Sequence, residues 1–247
     1  MKTEILYGIH PVYEALSARR RHIHRIYLQK DNPSGRLARL GSLADSQGVR
    51  VERIGSGELK THAGAAGHQG VAARVGPYPL TAVSDLLSAT EARSRPLFLI
   101  MLDNILDPQN LGAIIRTALC VGIDGVIMPK DRSAPISPAV SRASAGALEH
   151  IRLSRVTNLV QTIKQCKKSG LWIMGLDKGA EQCLYDGDMT GSLAIVLGGE
   201  QKGIRPLVKK HCDFLVAIPQ RGAVDSLNVS VAAAVAMYEA FRQRQKD

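Results

Sequence analysis

From residue 96 to the C-terminus the chain repeats one pattern, a short apolar run followed by a stretch with helical spacing. The apolar runs fall at 97–102, 124–128, 171–176, 193–197 and 214–218, and the helical stretches at 111–121, 159–168, 205–210 and 229–244. Strands that are apolar without alternation must be covered on both faces, which is the habit of parallel sheets with crossover helices. The pattern predicts a large α/β domain around a parallel sheet. Ligand sites of such sheets lie beyond the C-terminal ends of the strands.

The first part of the chain reads differently. Helical stretches at 11–18 and 36–47 alternate with extended ones at 22–28, 49–54 and 70–75. Between 76 and 96, Pro77, Pro79 and Pro96 bracket a short helical pattern at 82–87. Domains are therefore expected at 1–77 and 96–247, with a linker at 78–95. Residues 1–77 hold 12 Lys and Arg against 6 Asp and Glu, so +6 of the net charge of +10 lies in that segment. Clustered cations gain affinity for polyanions by displacing condensed counterions, which favours a nucleic-acid partner. His22 and His24, among Arg19, Arg20, Arg21 and Arg25, fit an RNA-facing edge as well as a solvated charge run.

Cys120, Cys166, Cys183 and Cys212 are dispersed, so reduced and mostly buried thiols are expected. No C-x-x-C pair or histidine spacing suggests a metal. The N-terminal residues place Glu4, His10 and Glu14 where a signal peptide needs an apolar run, and no run approaches bilayer-spanning length. A cytoplasmic protein without membrane attachment is expected. Neither G-x-G-x-x-G after a strand nor G-x-x-x-x-G-K-[ST] occurs, which argues against NAD-linked and NTPase chemistry.

Three segments follow strand ends and carry polar residues. In LDNILDPQNLGAIIRTA, residues 102–118, Asn110 serves as a helix cap or as a site residue. Arg116 stands four residues after Gly112, whose missing side chain leaves space on the same helix face; a surface ion pair is its other reading. In LAIVLGGEQKGI, residues 193–204, the paired Gly198 and Gly199 allow a ligand to approach the backbone beside Glu200, or simply form a tight turn. In FLVAIPQRGAVDSLNVSVAAAVAMYEA, residues 214–240, Ser226 and Asn228 lie at the mouth of an Ala-rich helix and suit capping or ligand contact.

In this order, DNxxDPxNxGxxxRTA, LGGExxGI and IPxxGxxxSLNVSVAAAVxxYE closely resemble the three motifs of the SpoU class of SPOUT methyltransferases, and the match spans the whole C-terminal domain. The segment beginning ILYGIHPVYEAL looks like the substrate-binding module of bacterial 23S ribosomal RNA guanosine-2′-O-methyltransferases.

The resemblance implies a parallel-sheet SPOUT domain with a C-terminal trefoil knot, preceded by a small α/β RNA-binding domain of the L30e/L7Ae type. It implies S-adenosylmethionine as cofactor, held by Leu176, Leu197, Gly198, Gly199, Ile218, Pro219 and Leu227. A homodimer with the site at its interface follows in the same way, and no metal is implied. The activity implied is methylation of a guanosine ribose 2′-hydroxyl in 23S ribosomal RNA. Arg116 takes the catalytic role, Asn110 and Glu200 orient it and the RNA backbone, and Ser226 and Asn228 hold the target nucleotide or the cofactor loop. Alternatives are a transfer-RNA ribose 2′-O-methyltransferase and a non-catalytic RNA-binding ribosome assembly factor of the same fold.

Overall fold

Alternation along two strands lays out the N-terminal sheet. The computed structural model describes residues 3–30, 32, 34–64, 67–88, 95–200, 202–223 and 226–245. The chain opens with β1 (Glu4–Tyr7), α1 (Ile9–Ala18), β2 (Ile23–Gln29), α2 (Gly35–Ser46), β3 (Val51–Ile54), α3 (Ser56–Ala63) and β4 (Val71–Val75). The four strands form one sheet in the order β1-β4-β2-β3, with β2 and β3 parallel and the other pairs antiparallel. Ile26, Leu28, Val71, Ala73 and Val75 join a core with Leu16 of α1 and Leu37 and Leu40 of α2. The alternate residues Tyr27 and Ala72 pack with Leu59 and Ala63 of α3, as the two-residue strand period requires.

The larger sheet begins after α4 (Val83–Ser88), with β5 (Phe98–Asp103), α5 (Pro108–Cys120) and β6 (Gly125–Pro129). The chain continues through α6 (Pro138–Ala143), a 3-10 turn at Ala147–Glu149, β7 (Leu153–Val156), α7 (Leu159–Lys168), β8 (Trp172–Leu176) and β9 (Gln182–Cys183). It closes with β10 (Leu193–Gly198), α8 (Pro206–Lys209), β11 (Phe214–Ala217) and α9 (Val229–Arg244). All seven strands pair in parallel, in the order β7-β6-β5-β10-β8-β11-β9. Leu97, Leu99, Met101, Ala194 and Val196 pack with Leu86 and Leu87 of α4 and with Leu159, Ile163 and Cys166 of α7. Each such aliphatic side chain contributes about 1.5–3 kcal/mol.

By contacts the chain divides into one unit of Met1–Pro79 with Pro135–His150, and another of Leu80–Ala134 with Ile151–Asp247. The first thus takes in α6 and the 3-10 turn. Arg21 of this unit pairs with Glu4 (3.1 Å) and Glu149 (3.5 Å), and His150 lies 2.7 Å from Glu14. Residues 89–94 of the expected linker lie outside the described residues.

The α/β class and the parallel sheet agree with expectation. Three details differ. Helix α5 starts at Pro108, because Asp107 accepts from the Gln109 amide (3.0 Å) and Pro108 pre-sets the first turn; Asn110 is inside the helix and does not cap it. The thiols are free, but only Cys166 is buried, while Cys120 is exposed and Cys183 and Cys212 are half-buried. Strands β1, β7 and β9 and helices α3 and α6 were not expected, being short and without clear periodicity. No helix of the described residues is long and apolar enough to cross a membrane.

Candidate active site

Three neighbouring strands, β10, β8 and β11, end together at one edge of the large sheet. Their parallel register delivers Leu197, Leu176 and, just past β11, Ile218 to a cavity of about 490 Å³. Gly198, Gly199, Glu200, Ser226 and Leu227 complete much of its wall, with Asp177 and Lys178 on the β8 side. Pro219 is not among its lining residues, although Ile218 and Gln220 on either side are.

The two glycines are required by close approach. A Cβ on Gly198 would stand 2.0 Å from the carbonyl carbon of Gly203, and one on Gly199 would stand 2.3 Å from the carbonyl oxygen of Asn104. Backbone cannot yield to such contacts, so the 198–204 loop can take this path only with glycine at both positions.

A second cavity, of about 640 Å³, shares Gly199, Glu200, Lys202, Gly203 and Val229 with the first. Its other walls come from Asn104, Leu106 and Asp107 of the loop after β5, from Asn110 of α5, and from Arg132 and Arg205. Glu200, on the shared wall, is met by two amide side chains, Asn110 from the second cavity and Asn228 from the start of α9. Asn110 Nδ2 donates to Glu200 Oε1 (2.7 Å), Asn228 Nδ2 donates to the same oxygen (2.9 Å), and Asn228 Nδ2 also reaches Asn110 Oδ1 (3.0 Å). Asn228 is at once the cap of α9, its Oδ1 accepting from the Ser230 amide (2.8 Å). Two amide donors on one carboxylate oxygen fix its direction and leave the other oxygen available as an acceptor.

The structure therefore brings Asn110, Glu200 and Asn228 together, and places Ser226 on the first cavity, without a side-chain hydrogen bond to the described residues. It does not bring Arg116 to them. Arg116 is exposed on α5, lines neither cavity and forms no ion pair with the described residues. Asn104, Arg132, Lys202 and Arg205 escaped the sequence reading; their signal was position alone, charged or amide residues just beyond strand ends. Among the described residues no group of three His, Cys, Asp or Glu side chains is arranged to hold a metal.

The first cavity fits S-adenosylmethionine. Its volume suits a nucleoside-sized ligand. The apolar Leu176, Leu197, Ile218 and Leu227 suit an adenine ring, and Asp177, Glu200 and Ser226 supply acceptors for a cationic amino-acid portion.

Residues 97–238 match the model of the SpoU rRNA methylase family, and residues 5–81 match that of the RNA 2′-O ribose methyltransferase substrate-binding domain. The 23S rRNA (guanosine-2′-O-)-methyltransferase RlmB of Coxiella burnetii is 42% identical over 244 residues, covering 99% of this chain and 97% of its own. RlmB of Escherichia coli K12 is 39% identical over 242 residues, covering 98% and 99%. In fold, the SpoU methyltransferase AviRb from Streptomyces viridochromogenes, solved with the cofactor AdoMet, superposes with a TM-score of 0.78 at 24% identity, covering 98% of this chain and 90% of its own. With a family match over more than half its length and near full-length relatives at about 40% identity, the chain belongs to the SpoU rRNA methylase family.

Proposed function

We propose that this protein transfers a methyl group from S-adenosylmethionine to the ribose 2′-hydroxyl of a guanosine in 23S ribosomal RNA. The observation that carries the reading is that Asn110 and Asn228 both donate to Glu200, which lines two adjoining cavities. The relatives bearing this activity in their names align over almost the whole chain, substrate-binding part included.

Bound in the first cavity, the cofactor supplies an electrophilic methyl group on sulfonium. The work left to the chain is alignment of the 2′-oxygen and removal of its proton. Glu200, directed by two amides, presents an acceptor on the shared wall, where the ribose hydroxyl must lie to face the first cavity. The Arg116 guanidinium offers only donors, and so stabilises a developing alkoxide or holds phosphate rather than accepting the proton. Leu176, Leu197, Gly198, Gly199, Ile218 and Leu227 hold the cofactor, with Pro219 between two lining residues, and Ser226 meets the target nucleotide or the cofactor.

The working form is a homodimer. Helices α5 and α9 pack together and expose Leu119, Val231 and Tyr238, with Leu106 64% and Tyr238 51% exposed. A second copy on this face would cover those side chains and place the exposed Arg116 in an interface. The trefoil knot belongs to the same reading, supported by strand order, since β10 and β11, late in the chain, flank β8. Four free cysteines suit the cytoplasm, where ribosomal RNA is made.

The test is transfer of labelled methyl to 23S RNA from cells lacking the protein, with the nucleoside identified by mass spectrometry. The expected product is 2′-O-methylguanosine in 23S RNA; label confined to transfer RNA would reassign the substrate, and none in either would defeat the reading. Arg116→Ala should abolish transfer and leave cofactor affinity in calorimetry intact, and equal loss of both would remove Arg116 from its role.

A further inference from the structure

We infer that the second cavity receives the sugar–phosphate backbone beside the target nucleotide, with Arg132 and Arg205 holding a phosphate group. The inference rests on the proposed methyl transfer to RNA and adds where the acceptor strand is gripped.

The walls of this cavity are unusual in their backbone. Five non-glycine residues among those described have positive φ, and two of them, Asn104 (64°) and Arg132 (54°), line this cavity. A left-handed conformation strains a residue that carries a Cβ, and such strain concentrates where a side chain must be aimed. The two strained loops are fastened together, the Ala134 amide donating to the Ile105 carbonyl (2.8 Å). Asn104 Oδ1 and the neighbouring Ser133 Oγ are buried without a hydrogen-bond partner. Buried polar atoms are rarely left so, and Asn104 is positioned to serve a hydroxyl of the incoming sugar.

The cations are prepared in different ways. Arg205 gives its Nε to Asp103 Oδ1 (2.7 Å) and its backbone amide to Asp103 Oδ2 (2.8 Å), and Asp103 is fully buried at the end of β5. That pairing fixes the guanidinium while its two terminal nitrogens make no hydrogen bond with the described residues. Arg132 is exposed and forms no ion pair with the described residues. Planar guanidinium forks match phosphate oxygens. No aromatic side chain is among the lining residues, so recognition by base stacking has no platform here.

Arg132→Gly is the informative variant, because glycine accepts φ 54° without strain and removes only the cation. On a 23S RNA transcript kcat/KM should fall about ten- to a hundredfold, mainly through KM. The slope of log affinity against log salt should become shallower by about 1, AdoMet affinity should be unchanged, and Arg132→Lys should recover part of the loss. A glycine variant with wild-type kcat/KM and salt slope would overturn the assignment. So would one that loses AdoMet affinity in parallel with turnover, since Arg132 would then be supporting the cofactor wall. A wild-type protein that methylates no RNA would instead overturn the parent reading, and this one with it.

Discussion

The two sheets use their polar residues in opposite ways. In the seven-stranded sheet β5 and β6 are buried along their whole length, and polar chemistry is confined to what lies just beyond the strand ends. In the four-stranded sheet no strand is buried throughout, and charge is spread along its margins. Arg19, Arg20, His22, His24 and Arg50 line an open cleft of about 520 Å³ there. A parallel sheet buried along its strands can build an enclosed site only at their ends, whereas the small sheet offers a polyanion an open, cationic margin.

The comparison breaks most visibly at Gly198. Its alanine variant would force a Cβ into the backbone of Gly203 and Ile204, and should cost about 3 kcal/mol or more and abolish AdoMet binding. Denaturant titration and calorimetry give both quantities, and near-normal cofactor affinity would mean that the loop is not the cofactor's seat. A smaller effect is expected on the open cleft. Arg19→Ala combined with Arg50→Ala should weaken RNA binding about tenfold and lower the salt slope by about 1.5, with AdoMet affinity unchanged. If turnover at saturating RNA fell instead, the division of labour between flank and strand ends would be wrong.

The smallest effect concerns Glu149, which Ser141 Oγ also contacts (2.8 Å). Burial pushes its carboxyl above the ordinary range, against the opposing influence of Arg21. A carboxyl whose pKa is higher folded than unfolded takes up a proton on folding, so its contribution is greatest below the ordinary carboxylate range and declines as pH rises through the interval up to the folded value. The stability of the native protein minus that of Glu149→Gln should therefore fall with rising pH across that interval. A flat difference would show that Glu149 is ionised at no cost.

The apolar strands β5, β6, β8, β10 and β11 were legible because both-face burial leaves an uninterrupted hydrophobic signal. Strand β1 is four residues long and α3 has weak amphipathicity, so neither rises above the surrounding sequence. The membership of Pro135–His150 in the first unit depends on pairs such as Glu14 with His150, 136 residues apart, which no local pattern encodes. At the site, Asn110, Glu200 and Asn228 were marked by motif. Arg132 and Arg205 were not, since their aim depends on a left-handed turn and on a buried carboxylate 102 residues away.

Strand order also dictates a timetable for synthesis. Strand β10 lies at the centre of the seven-stranded sheet, between β5 and β8, yet five of the other six strands precede it in the chain. As the chain emerges, β5, β6 and β7 can pair among themselves, while β8 and β9 have no finished neighbour. The sheet becomes one body only when Leu193–Gly198 is available, and Arg244 then ties the last helix to the carbonyls of Met189, Gly191 and Pro96. Such long-range closure is slow. The cavity at the ends of β8, β10 and β11 can therefore exist only once the ribosome has made β11.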